Sequence, residues 1–174
     1  MLMEIITLSR NLLRRTMNKI SIYILGFSIV FLTRCGSSVY EENIDVTDLA
    51  WHKDSIYVFE TDSLTKLPDA VVFGVNIRNT IDYKYRNIWC YMSITLPNGK
   101  VFSDTIDHSL MTPDGYWLKN VDGNNAIKSS NIFFKYPINN PESGKYSITL
   151  QHAMREEVLE DVVSVSAFIK EFKK

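Results

Sequence analysis

The chain has 174 residues, of which 45% are apolar, 22% charged and 12% aromatic, with a formal net charge of −1. An apolar fraction of that size excludes wholesale disorder, and the near-neutral balance excludes a nucleic-acid binder built on a basic face. Two cysteines exclude a disulfide-dense scaffold. The average conceals two unlike pieces. Residues 1–34 carry five Lys or Arg against Glu4 alone, leaving 14 basic and 19 acidic residues in 35–174, a net charge of −5.

The first piece reads as an export signal. Ile20 to Leu32 (ISIYILGFSIVFL) is an uncharged run of 13 residues behind a basic stretch. That suits a signal-peptide core and is too short to cross a bilayer, which takes about 20 residues. Met17-Asn18-Lys19 opens the segment as signal peptides open, so residues 1–16 read as an extension from an upstream start codon. Leu32-Thr33-Arg34-Cys35-Gly36-Ser37 resembles a bacterial lipobox, with Arg34 in a position where the pattern prefers Gly, Ala or Ser. Cys35 is then the lipidation site, and the several acyl chains that this chemistry attaches hold a protein stably at a membrane. Residues 36–50 are polar without a clear period and read as a tether, so the expected folded domain is 51–174.

That domain alternates in the β manner, with runs of β-branched and aromatic residues between turn signals. Strands are expected at Ser55–Glu60, Ala70–Asn79 and Ile88–Leu96; in the last of these Ile88, Cys90, Met92, Ile94 and Leu96 share one face. Cys90 reads as buried core, and so does Trp89 within the same apolar run. Pro97-Asn98-Gly99-Lys100 predicts a hairpin to Val101–Ile106, with Asn-Gly pointing to a type I′ turn. Residues 108–128 hold Pro113, two Asp-Gly pairs and Tyr116-Trp117-Leu118, and read as a long irregular excursion. Strands follow at Asn131–Tyr136, Lys145–His152 and Val162–Ile169, with a short turn near Arg155–Glu160. Seven short strands with no sustained helical period indicate an all-β, antiparallel two-sheet sandwich, jelly-roll or immunoglobulin-like, with a closed barrel as the alternative.

Catalytic signatures are sparse. His52, His108 and His152 lack metal-ligand spacing and read as surface or loop residues. Asp104, Asp107 and Asp114 read as turn acids rather than calcium ligands. No phosphate-binding or nucleophile-elbow pattern occurs, so neither metal nor cofactor is expected. Trp51 and Trp117 fall at strand edges or loops and, with Tyr116, form the candidate partner surface, because binding hot spots favour Trp and Tyr. The same aromatics motivate an alternative, a glycan-binding lipoprotein.

Several short segments, taken in order behind the lipobox, resemble the GldH family of gliding-motility lipoproteins from Bacteroidetes. They are Trp51-His52-Lys53-Asp54, Asn76-Ile77-Arg78-Asn79-Thr80 with Asp82-Tyr83, Leu96-Pro97-Asn98-Gly99-Lys100-Val101 with Ser103-Asp104-Thr105, Pro113-Asp114-Gly115-Tyr116-Trp117-Leu118, Gly144-Lys145-Tyr146-Ser147-Ile148, and Gln151-His152-Ala153-Met154-Arg155-Glu156. The resemblance implies a non-enzymatic outer-membrane lipoprotein linked to the gliding machinery and its type IX secretion apparatus. Its partners would be the membrane, through the lipid, and other envelope proteins, with no nucleic acid or small-molecule substrate. Glu41 and Glu42 come late after Cys35, which favours the periplasmic face. The family supplies no catalytic residues to carry over.

Overall fold

The computed structural model describes residues 38–118 and 126–173. The expected signal peptide and Cys35 lie outside them, as do residues 119–125 of the long excursion. Eleven strands are described, every pairing between them antiparallel. One sheet runs β1 (Ser38–Asp45), β11 (Val162–Glu171), β4 (Ala70–Thr80), β7 (Ile127–Phe133), with the two-residue β8 (Ile138–Asn139) also on β4. A second runs β3 (Tyr57–Glu60), β9 (Ser147–His152), β5 (Asn87–Thr95), β6 (Val101–Ser109). A small ribbon pairs β2 (Ala50–His52) with β10 (Val158–Glu160).

The larger sheets form the expected sandwich because each offers one apolar face. Phe73, Val75 and Ile77 of β4 and Val165, Ala167 and Ile169 of β11 join Ile88, Cys90, Met92 and Ile94 of β5 and Ile148 and Leu150 of β9 in one buried cluster. The Phe73 and Tyr146 rings meet within it, 5.6 Å apart. The inward face read from the β5 alternation is the buried one, apart from Leu96, which is only partly buried.

The residues read as a tether begin the fold instead. Ser38–Asp45 is an edge strand, with Tyr40 and Ile44 packed against the core and Asn43 Oδ1 accepting a 2.8 Å bond from Ser166 Oγ on β11. β7 starts at Ile127, earlier than the aromatic-rich Asn131–Tyr136 segment suggests, since Ser129 and Asn131 find partners on Asn76 of β4. The short turn expected near Arg155–Glu160 includes β10.

The expected β5–β6 hairpin forms, but its turn is not type I′. Gly99 N donates to Leu96 O and Leu96 N to Lys100 O, each at 2.9 Å, and only Gly99 of the Asn-Gly pair has positive φ (81°). Proline prefers the second position of a type I turn, which shifts the turn back to Leu96-Pro97-Asn98-Gly99 and leaves Gly99 as the left-handed residue.

The sandwich has two distinguishable ends. Ser38 of β1 lies opposite Lys170 near the end of β11, while Asp45 lies opposite Ser164 near its start. At that second end Thr80 Oγ1 donates to Asp161 Oδ1 (2.9 Å), and Lys84 pairs with Glu160 (2.5 Å).

Candidate functional site

The Asp45 end carries the long excursion. Leu110 N and Met111 N both donate to Arg86 O (2.7 and 3.1 Å), and Leu118 N returns to Leu110 O (2.9 Å). Between them Thr112 N donates to Tyr116 O and Gly115 N to Thr112 O, with Gly115 at φ 85°. This is the bonding pattern of the Leu96–Lys100 turn, and the local sequences explain it: Pro-Asn-Gly in one, Pro-Asp-Gly in the other. Arg86 Nη1 donates to Pro113 O (3.0 Å), fastening the turn to the loop before β5.

The turn presents Tyr116, which is 74% exposed, and Leu118, while Trp117 is partly buried against the core. Trp51 takes no part in this surface. It is fully buried on β2, its Nε1 donating to Ser55 O (3.1 Å), its ring edge-on to Tyr57 (5.5 Å) and His152 (5.3 Å). The β2–β10 ribbon places Trp51 opposite Leu159, itself buried, so the indole belongs to the core.

Trp89 moves the other way. Strand alternation that buries Ile88 and Cys90 must turn Trp89 outward, and it is 40% exposed, with Tyr91 exposed two residues along the same face. Trp89 borders a cleft of about 510 Å³ lined by Tyr85, Asn87, Met154, Arg155 and Glu156. Residues 153–156 reach it because Ala153 N donates to Trp89 O (2.7 Å) and Met154 Sδ accepts from Trp89 N (3.3 Å). Asn87 Nδ2 donates to Asp107 Oδ1 (2.7 Å) on β6. A smaller cleft of about 270 Å³ shares Tyr85 and Glu156 and adds Lys84, Val158 and Glu160.

Two side-chain contacts set the local electrostatics of this end. Tyr85 donates its hydroxyl proton to Glu156 Oε1 (2.8 Å), and that bond holds the phenol above its usual range. The Glu160 hydrogen bond raises the Lys84 ammonium, while Lys84 lowers the Glu160 carboxyl. Both side chains are mostly exposed, so the pair adds little to stability. Among the described residues no three His, Cys, Asp or Glu side chains come together as a metal site. His152 is buried beside Trp51 rather than on the surface. Burial lowers its pKa, the Trp51 backbone opposes that shift, and the Lys53 charge adds to it.

The arrangement offers exposed aromatic and amide groups with paired charges. The exposure of Trp89 has a sequence signal: it lies one residue from Cys90 on a strand whose alternation turns Ile88, Cys90 and Met92 inward.

Residues 38–167 match the family described as GldH lipoprotein. A gliding motility lipoprotein GldH homolog of Christiangramia forsetii is 37% identical over 139 residues, covering 78% of this chain and 82% of its own. The gliding motility lipoprotein GldH of Flavobacterium johnsoniae is 28% identical over 155 residues, covering 85% of this chain and 94% of its own. Among solved structures, a family GH115 4-O-methyl-α-glucuronidase aligns with 81% of this chain but only 18% of its own, at TM-score 0.42 and 12% identity. That likeness is too slight to carry any reading of function.

Proposed function

The chain belongs to the GldH lipoprotein family, and from that premise we propose that it is a non-enzymatic accessory lipoprotein of the gliding-motility envelope machinery. In this reading Cys35 carries the lipid, the outer membrane holds the protein at its periplasmic face, and the Asp45 end of the sandwich contacts other envelope proteins. One observation carries the choice of surface. Tyr116, Leu118 and Trp89 are exposed at this end, with Arg86 and Arg155 beside them. Trp, Tyr and Arg are the residues in which binding energy concentrates.

The test uses the full lipoprotein recovered from envelopes. Tyr116→Ala, Trp89→Ala and Arg155→Ala, made singly, should each lower recovery of copurifying envelope proteins about tenfold or more, the effect of losing about 1.4 kcal/mol or more of binding. Unchanged recovery with all three would remove this end as the partner surface.

Trp89 also favours a second reading. Its exposed ring, with Tyr91, Asn87 and Arg155 nearby, suits a sugar ring stacked on an aromatic face and hydrogen-bonded at its rim. Binding of an envelope polysaccharide that changes tryptophan fluorescence, and is lost in Trp89→Ala, would favour this reading. A silent polysaccharide titration would count against it.

A further inference from the structure

The protein–lipid geometry is constrained by how soon the fold begins. Cys35 is three residues from Ser38, and three extended residues reach at most about 11 Å. Ser38 is not free to wander, being paired in β1 opposite Lys170. β11 then runs its 10 residues from that end to the other, about 30 Å. A lipid on Cys35 therefore brings the Ser38 end within one short reach of the bilayer, whereas the Asp82, Lys84 and Glu160 end lies a strand length away.

The side chains at the near end suit a headgroup layer. A cleft of about 580 Å³ opens there, lined by the apolar Val39, Leu64 and Pro68, the hydroxyls of Ser38, Ser63 and Thr65, and Lys66. Glu171 also borders it and is paired with Lys173 at 3.3 Å. Phe172, one residue on, is 37% exposed, and Lys170 on the same strand holds its Nζ 4.2 Å from the Phe168 ring centroid. Lys66, an exposed lysine with an apolar stem and a charged tip at the same end as the exposed Phe172, is matched to the boundary between acyl chains and phosphates.

We propose that the Ser38 end of the domain, with Lys66, Leu64 and Phe172, rests on the phospholipid headgroup surface and turns the Trp89 and Tyr116 end away from it. The inference rests on Cys35 bearing the lipid. It gives the two ends of the sandwich different tasks: one seats the protein, and the other is presented to partners across the periplasm.

The test uses the lipidated full protein in phosphatidylethanolamine/phosphatidylglycerol vesicles containing a nitroxide-headgroup lipid. A fluorophore is placed at Asp62→Cys, beside Ser63 of the near-end cleft, or at Asp82→Cys, both exposed positions, and Cys90 stays unlabelled because it is buried. Quenching several-fold stronger at 62 than at 82 is expected. Equal quenching would mean that the domain lies on its side or floats free, and stronger quenching at 82 would invert it; either overturns the placement while leaving the anchor intact. Protein that does not bind the vesicles at all would overturn the anchor and the placement together. Six Gly-Ser residues inserted after Ser37 should keep the protein vesicle-bound but reduce quenching at 62, and unchanged quenching would overturn the short reach as what sets the placement.

Discussion

The Phe168 ring lies directly over Gly74: a β-carbon on Gly74 would sit 2.3 Å from Phe168 Cζ and 2.6 Å from Cε2. The two residues face each other across β11 and β4, and Phe133 completes the row from β7, edge-on to Phe168 at 5.4 Å. Gly74 is thus the floor on which an aromatic cluster stands, on the sheet face opposite to Phe73 and Val75. Gly74→Ala should destabilise the domain by about 1–3 kcal/mol, the range for overpacking. Thermal denaturation reads this as a midpoint lowered by several degrees. Adding Phe168→Leu should restore only part of the loss, because Ile132 O, a backbone atom, also lies 2.8 Å from the new carbon.

This relationship also marks how far the sequence was legible. Alternation in Ile88–Leu96 gave the inward face of β5, and Pro-Asn-Gly placed the hairpin, because both signals are local. The Val162–Ile169 alternation set Phe168 opposite Val165 and Ile169, as it is, but could not reveal that Phe168 is buried too, since the glycine beneath it is about 90 residues away in sequence. β1 leaves little trace in the sequence because an edge strand needs apolar groups on only one side, and Tyr40 and Ile44 alone make a weak period. The burial of Trp51 depends on the β2–β10 pairing, which joins segments about 100 residues apart, whereas the exposure of Trp89 follows from the local β5 alternation that buries Ile88 and Cys90.

Replacing the two aromatics first paired as a surface should separate them cleanly. Trp51→Ala removes a fully buried ring in contact with Tyr57 and His152, and about 3–5 kcal/mol is expected. Tyr116→Ala removes an exposed ring and should stay within about 0.5 kcal/mol of the parent. Denaturant titration of both variants checks this. Comparable losses would contradict the burial difference between them.

His152 should make the domain weaken in mild acid. Burial lowers its pKa in the fold, so the folded state resists protonation that the unfolded chain accepts from about pH 6.5 downward. The unfolded state then binds more protons, and stability falls as pH drops below that value until the lowered native pKa is reached. His152→Leu should flatten the fall in unfolding free energy between pH 7 and 5 relative to the parent. A parent whose stability did not fall more steeply than the variant's would show that the buried ring is not the titrating group.

The remaining thiol chemistry follows from burial and connects to the anchor. Cys90 is fully buried in the sandwich core, and desolvation pushes its thiol up to about 12. Only the thiolate is a nucleophile, so at pH 8 almost no Cys90 is in the reactive form, and the core shields the sulfur as well. The folded protein should therefore consume no thiol reagent over minutes. In denaturant the buried thiol becomes an ordinary one and should react at once. The chain contains two cysteines, so the number titrated after unfolding reports on the other. Envelope-derived protein with Cys35 in thioether linkage should yield one thiol per chain, and protein made without lipidation should yield two. Two thiols in the envelope-derived sample would show that Cys35 bears no lipid, and rapid labelling of the native fold would show that Cys90 is not core.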